Sequence, residues 1–314
     1  MKPASTLRMA VLALLWGSGF LWIKLALDHG LSPAEITITR CALGSLVLLA
    51  LARSKGQRLP RDRRTWGRLA VAALFCNAVP FALFSVGEQT VDSGIAGVLN
   101  ATTPLWSLLI GIALGTDRGL GRTRLTGLVL GFAGTVLIFA PWQRSGLAGW
   151  GALALLAAAA SYAVAFAYMA RKLTTGQAPL AVSAAQLLAA TAWTALALPA
   201  AGPVHPDLTA LLAVTALGVL GTGVTFYLNY RLIADEGATS AATAGYLLPV
   251  VSVSLGAVLL DERVGLRVVA GMAVVLVSVA LTRRRSAESF RGAGNCAPSP
   301  HAPPAAKKQP AQAP

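Results

Sequence analysis

Long apolar runs constrain this chain more than any other feature. A helix needs about 20 apolar residues to cross the hydrocarbon core of a bilayer, and these runs lack the alternation of a membrane β-strand. Ten runs qualify, at residues 9–27, 33–52, 69–86, 93–115, 124–140, 148–170, 178–199, 208–230, 237–260 and 265–282. The sequence therefore predicts an all-α membrane protein with ten transmembrane helices.

The composition indicates that lipid is the main solvent of the chain. Hydrophobic residues make up 55% of it and charged residues only 12%, whereas a soluble domain has about 25% charged residues. The net charge of +14 does not indicate a nucleic-acid partner, because the charges lie in short clusters between the apolar runs. We therefore expect the lipid bilayer, and no nucleic acid, as a partner.

The positions of lysine and arginine predict the orientation. The 53–68 connection is the most basic, and alternate connections carry Arg118, Arg124, Arg171 and Lys172. Basic connections stay in the cytoplasm, so both termini are predicted to be cytoplasmic in a multi-pass protein of the cytoplasmic (inner) membrane. Residues 284–314 are polar and proline-rich, and this composition predicts a disordered cytoplasmic tail.

The chain contains an internal repeat. Pro33–Arg40 matches Pro179–Gln186 at a shift of 146, and Gly94–Gly111 matches Thr239–Gly256 at a shift of 145. Each half, residues 1–142 and 143–283, holds five predicted spans. Because five is odd, the halves must enter the membrane in opposite senses, which predicts two inverted five-helix repeats with a site between them.

Two cations lie within the apolar runs. Lys24 can pair with Asp28 one helical turn away, which would make it a local ion pair. Arg40 lies deeper, and it either reaches toward the surface with Glu35 loosely paired or faces the seam between the halves. In the second case it would attract a carboxylate or hold an outer gate shut through Glu88.

Other polar and aromatic residues within the spans are candidates for the substrate pathway. Trp16 and Phe20 share a helix face with Lys24, and Asn77 and Phe81 share another. Ordinary packing between helices is the alternative for each of them. The full candidate set is Trp16, Phe20, Lys24, Arg40, Asn77, Phe81, Glu88, Asn100, Tyr162, Gln186 and Tyr246.

Two prolines occupy matching places in the two halves. Pro104 falls on Pro249 when the repeats are aligned. A proline inside a helix removes a backbone hydrogen bond and kinks the helix. The pair is therefore predicted to act as hinges, with static kinks as the alternative.

The stretches "WGSGFLWIKLAL" and "GVLNATTPLWSLLIG…GLVLGFAGTVLI", together with the spacing from Pro33 to Arg40, resemble drug/metabolite transporters with two EamA domains. The resemblance covers about residues 8–282. It implies ten helices and the export of metabolites, often amino acids or related compounds. The second half departs from the first, because Gln186 stands at the position that matches Arg40.

The sequence predicts a secondary transporter of small molecules. It has no GxxxxGK[ST] phosphate loop for ATP and no HExxH or GxSxG motif for an enzyme, so we expect no enzyme activity and no cofactor. Protons are one option for the coupling ion, and facilitated efflux without coupling is the other. A membrane-embedded enzyme and a channel are the alternative functions, and the sequence predicts no oligomeric state.

Overall fold

The computed structural model describes residues 3–115, 126, 127, 129–131, 133, 134, 137, 149–173, 178–197, 206–236, 245 and 247–278. The regular secondary structure of these residues is helical and includes no strand, which agrees with the predicted all-α fold. The predicted tail at 284–314 lies outside the described residues.

The helices of the N-terminal half are α1 Pro3–Gly17, α2 Gly19–Asp28, α3 Pro33–Ser54, α4 Arg63–Ala73, α5 Val79–Gly87, α6 Ser93–Asn100 and α7 Thr103–Ala113. Those of the C-terminal half are α8 Trp150–Lys172, α9 Pro179–Ala195, α10 Leu208–Gly218, α11 Thr225–Glu236, α12 Leu248–Leu259 and α13 Leu266–Ser278.

Several helical segments match the predicted spans. Six are long and apolar enough to cross a membrane: Thr6–Asp28, Pro33–Ser54, Arg63–Gly87, Ser93–Ala113, Trp150–Lys172 and Leu208–Leu232. Shorter helices occupy the predicted spans at 178–199, 237–260 and 265–282. The predicted span at 124–140 lies mostly outside the described residues.

The turn between α2 and α3 is fixed by local sequence. Gly30 has a φ of 95°, a conformation that glycine adopts without strain. Helix α3 then begins with a capping box, because the Ser32 hydroxyl accepts a hydrogen bond from the Glu35 backbone N–H at 3.3 Å and the Glu35 carboxylate accepts one from the Ser32 backbone N–H at 3.0 Å. Glu35 therefore caps its own helix, and the expected loose pairing with Arg40 was wrong.

Two π-helical turns interrupt the spans at equivalent places. Leu74–Ala78 joins α4 to α5, and Val219–Val224 joins α10 to α11. The two turns begin at positions that differ by 145, the same shift that aligns the halves in the sequence. Such turns are rare in helices and occur often at functional sites.

Both matched prolines lie in the first turn of a helix. Pro104 belongs to the first turn of α7, which follows a break at residues 101–102, and Pro249 belongs to the first turn of α12. Proline is tolerated there because the N–H that it lacks would have no partner within the helix. The expected interruption at Pro104 is therefore present, and the hinge role of both prolines stays a prediction.

Equivalent spans of the two halves pack against each other. Helix α3 packs along α9, and α6 packs along α12. Small residues allow this approach: Gly97 lies against the Ser252 hydroxyl of α12, and a Cβ on Gly44 would come within 3.2 Å of Leu187 on α9. Gly131 and Gly134 are buried as well, against Leu105 and the Gly271 backbone.

Candidate functional site

A small cavity lies where the two halves meet. Its volume is about 20 Å³, room for about one water molecule. It brings together five of the predicted pathway residues, although their role in transport stays a prediction. The lining consists of Trp16, Gly19, Phe20, Ile23, Arg40, Phe84, Asn100, Tyr162 and Leu248.

The Arg40 guanidinium is the charged group of this cavity. The side chain is buried, and its Cζ lies 3.7 Å from the centroid of the Phe81 ring, which places the cation on the negative face of an aromatic ring. Its Nε donates a hydrogen bond to Thr222 Oγ1 at 2.9 Å. No carboxylate forms an ion pair with Arg40 among the described residues, so its charge is held by a ring and a hydroxyl group.

A second buried polar pair repeats this contact in the other direction. Gln186 Nε2 donates a hydrogen bond to Asn77 Oδ1 at 2.7 Å. Gln186 matches Arg40 at the shift of 146, and Thr222 matches Asn77 at the shift of 145. Each half therefore sends a polar side chain from its second span to the π-turn of the other half. Asn77 and Thr222 both lie within those turns.

Aromatic rings form one wall of the cavity. The Phe20 and Phe84 rings meet edge to face with centroids 5.4 Å apart, and Tyr162 lies 6.1 Å from Phe84. Phe84 was not among the candidates predicted from the sequence, although it lies on α5 between Phe81 and the end of the helix at Gly87. The other candidate tyrosine, Tyr246, lies outside the described residues.

Lys24 lies beyond the cavity, toward the end of the bundle that is predicted to be outer. Its Nζ donates a hydrogen bond to the Glu88 backbone carbonyl at 3.0 Å and lies 3.9 Å from Asp28 Oδ1. The predicted pairing of Lys24 with Asp28 is confirmed. Lys24 does not line the cavity, and neither do Asn77, Phe81, Glu88 and Gln186.

The Glu88 carboxyl is fully buried. Among the described residues, neither of its oxygens has a hydrogen-bond partner. Glu88 accepts no hydrogen bond from Arg40 in this arrangement, and the Arg40 Nε bonds to Thr222, so the gate through Glu88 stays a prediction. The two groups lie near enough to interact electrostatically but do not touch.

Glu262 is a contact between the halves that the sequence did not reveal. Its carboxylate accepts hydrogen bonds from the backbone N–H groups of Ser93 at 2.7 Å and Gly94 at 3.0 Å. The carboxylate thereby satisfies backbone N–H groups that have no partner within α6. Its negative charge also interacts favourably with the positive end of the helix dipole. The turn at Asp261, with a φ of 52°, folds Glu262 back toward α6.

Cys41 and Cys76 are buried free thiols, and Cys296 lies outside the described residues. The part of the chain that the structure describes contains no cluster of histidine, cysteine and acidic residues that could hold a metal ion.

Comparison with known proteins decides the family. The EamA-like transporter family matches residues 5–140 and again residues 149–284. This chain belongs to the EamA-like transporter family. It carries two EamA domains and belongs to the drug/metabolite transporter superfamily, as the sequence motifs indicated.

Several relatives of this EamA chain are named as transporters. "Uncharacterized transporter YvbV" of Bacillus subtilis is 25% identical over 91% of this chain and 93% of its own length. "Uncharacterized inner membrane transporter YedA" of Escherichia coli K12 is 29% identical over 78% of this chain and 79% of its own length. A protein of Streptantibioticus cattleyicolor that is named "Probable terminal-alkyne amino-acid exporter" is 28% identical over 86% of this chain and 90% of its own length.

A solved crystal structure has a similar fold, with a TM-score of 0.65 and 22% identity over 92% of this chain and 99% of the other. Together with the apolar helices, the family and the names of these relatives identify the EamA chain as a multi-pass membrane protein of a transporter family, and they indicate transport and not catalysis.

Proposed function

We propose that this chain is a secondary transporter of the cytoplasmic membrane that exports small metabolites with a carboxylate group, such as amino acids. The solute binds between two inverted five-helix halves, residues 1–142 and 143–283, and both termini face the cytoplasm. The observation that carries the proposal is the buried Arg40, a cation without an ion-pair partner in the described residues, on the wall of the cavity between the halves.

The chemistry of the cavity suits such a solute. A guanidinium binds a carboxylate through parallel hydrogen bonds, and these charge-assisted bonds are stronger than neutral ones. The Nε of Arg40 is already bonded to Thr222, which leaves the terminal nitrogens for the solute. When the halves separate and widen this cavity of about 20 Å³, Phe20, Phe84 and Tyr162 supply an aromatic surface for the rest of a small amphipathic molecule. The amino-acid exporter among the relatives supports this class of solute.

Alternating access follows from two halves that can exchange roles. The Arg40–Thr222 and Gln186–Asn77 pairs support this, because each joins the second span of one half to the π-turn of the other. The helix breaks before Pro104 and at the start of α12, where Pro249 lies, supply places where α7 and α12 can tilt. We propose that both prolines mark hinges of this movement.

An ion or solute gradient supplies the energy, since the sequence has no phosphate loop for ATP. The membrane potential alone provides about 2.3 kcal/mol per elementary charge per 100 mV. We propose protons as the coupling ion.

Counterflow in proteoliposomes tests the proposal. Vesicles loaded with an unlabelled mixture of the protein amino acids are diluted into the same mixture in isotope-labelled form, and uptake of each is followed by mass spectrometry. We expect saturable uptake of at least one amino acid that depends on the internal load. A channel would show no such trans-stimulation, and an enzyme would return a chemically altered solute. Uptake equal to that of protein-free vesicles for every amino acid would contradict the proposed solute class.

A further inference from the structure

Glu88 lies one helical turn beyond the cavity. It follows Phe84, a lining residue, by four positions, and it is fully buried at the end of α5. Lys24 follows the lining residue Phe20 by the same spacing and bonds to the Glu88 backbone carbonyl. These two residues therefore form the layer that covers the cavity at its predicted outer end.

The surroundings of the Glu88 carboxyl do not support a negative charge. An ionised carboxylate that is removed from water needs hydrogen-bond donors or a close cation, and both oxygens of Glu88 lack a donor among the described residues. Lys24 and Arg40 favour ionisation, whereas Asp28 and Glu262 oppose it. Helix α8, which packs against α5, places Leu155 and the Gly151 carbonyl beside Gly87. Tyr162 on α8 and Asp92 before α6 are further titratable groups of the neighbouring elements.

We infer that the Glu88 carboxyl is a proton-binding site, and that the outer end of the passage closes over it only when it is protonated. Cations and anions both lie around the carboxyl and act in opposite directions, and its burial without hydrogen-bond donors favours the neutral form. The neutral acid fits the closed arrangement. The carboxylate requires water, and opening of the outer end would supply it.

Because the outer end closes only when Glu88 is protonated, Glu88 can couple proton binding to transport. This role rests on the proposed export function. After the solute leaves on the outer side, a proton from outside neutralises Glu88 and allows the outer end to close. The empty carrier then returns with that proton and releases it to the cytoplasm before the next solute is carried out, so that one proton enters for each solute that leaves. An inward proton gradient would in this way drive the export of solute, with one proton bound at one carboxyl.

Infrared spectroscopy of the purified full-length protein tests the site without any solute. We expect the parent at neutral pH to show the C=O stretch of a protonated carboxyl group, a band that Glu88→Gln lacks and that Glu88→Asp shifts. Asp92→Asn, which removes a nearby half-buried acid at the same end, is the matched control and should keep the band. Absence of the band in the parent, or its persistence in Glu88→Gln, would overturn the inference.

A labelling experiment tests the link to closure. In a background with Cys41, Cys76 and Cys296 replaced by alanine, a membrane-impermeant maleimide is applied from outside to Phe20→Cys in the cavity and, separately, to Gln89→Cys on the exposed outer end. The ratio of the two labelling rates removes the intrinsic pH dependence of thiols. We expect this ratio to rise with external pH in the parent and to stay low and constant with Glu88→Gln. An equal rise in both proteins would refute the closure role, and neither readout depends on whether an amino acid is the solute.

Discussion

Arg40 donates a hydrogen bond to Thr222 across the seam between the halves, over a separation of 182 residues. The contact has a counterpart in the bond from Gln186 to Asn77, whose residues occupy the matching repeat positions. One member of each pair lies in a π-turn, where the backbone departs from the regular helix. The two pairs therefore mark the places where the second span of one half is fastened to the third span of the other.

Thr222→Val should weaken the Arg40 contact. Valine has the shape of threonine but accepts no hydrogen bond, so the buried Nε of Arg40 loses its acceptor, at a cost of about 1–3 kcal/mol. Thermal unfolding in detergent should show the loss. Thr225→Val is the matched control, because the hydroxyl of Thr225 bonds to backbone carbonyls of its own helical segment. Equal melting temperatures for the two variants would contradict the assigned contact.

The Gln186–Asn77 pair should show coupling in a double-mutant cycle. Gln186→Leu and Asn77→Leu each leave a buried polar partner unsatisfied, whereas the double variant removes both groups. Interhelical hydrogen bonds in membranes average about 0.6 kcal/mol, and we expect a coupling energy of about that size or larger. Unfolding free energies in mixed micelles measure it. Strictly additive losses would show that the two side chains do not interact.

Gly97→Ala should destabilise the contact between α6 and α12. A Cβ at this position would collide with the Ser252 side chain, and overpacking of this kind costs about 1–3 kcal/mol. Gly67→Ala is the matched control, since Gly67 lies in an exposed helical position with open space around it, and alanine there should stabilise α4 by up to about 1 kcal/mol. Unfolding curves of the two variants should move in opposite directions, and a shift in the same direction would be inconsistent with close packing at Gly97.

Asp207, at the end of the bundle that is predicted to be outer, should make the stability depend on pH. A hydrogen bond from the Ala210 backbone N–H, and then the His29 ring at 2.7 Å, hold the pKa of Asp207 below its usual value. A lowered folded pKa gives stability that is present above the ordinary aspartate value of about 4 and is lost as pH falls through the folded value. The melting temperature of the parent should therefore exceed that of Asp207→Asn at neutral pH, and the difference should vanish in acid. Parallel melting curves down to about pH 3 would refute this.

The sequence was sufficient to predict the helical class, most of the span positions and the Lys24–Asp28 pair, because these depend on apolar run length and on spacing within one helix. The sequence also showed that Arg40 is a cation within an apolar run. Its partner Thr222 was missed, since a contact over 182 residues leaves no local signal. The internal repeat could have indicated it, because alignment of the two halves places the polar residue Thr222 at the position of Asn77.

The π-turns and the burial of Glu88 were also beyond sequence reasoning. A π-turn contains one extra residue per turn, and the composition of Leu74–Ala78 does not distinguish it from an ordinary apolar helix. Glu88 was expected near the outer rim, where acids are normally wet, and its burial depends on Lys24 and on helix α8, which lie far away in the sequence. Both features depend on contacts between parts of the chain that lie far apart in the sequence, and such contacts could not be predicted from local patterns.

We propose that Arg40 holds a carboxylate-bearing solute between the halves. Counterflow of labelled amino acids tests this in proteoliposomes that contain equal amounts of the parent, Arg40→Lys and Arg40→Gln. Because a charge-assisted hydrogen bond contributes about 1.5–3 kcal/mol, exchange at a solute concentration below saturation should fall about tenfold to a hundredfold in Arg40→Gln. Arg40→Lys should lie between the two, since lysine keeps the charge and loses the planar fork. Exchange by Arg40→Gln at the rate of the parent would contradict the claim.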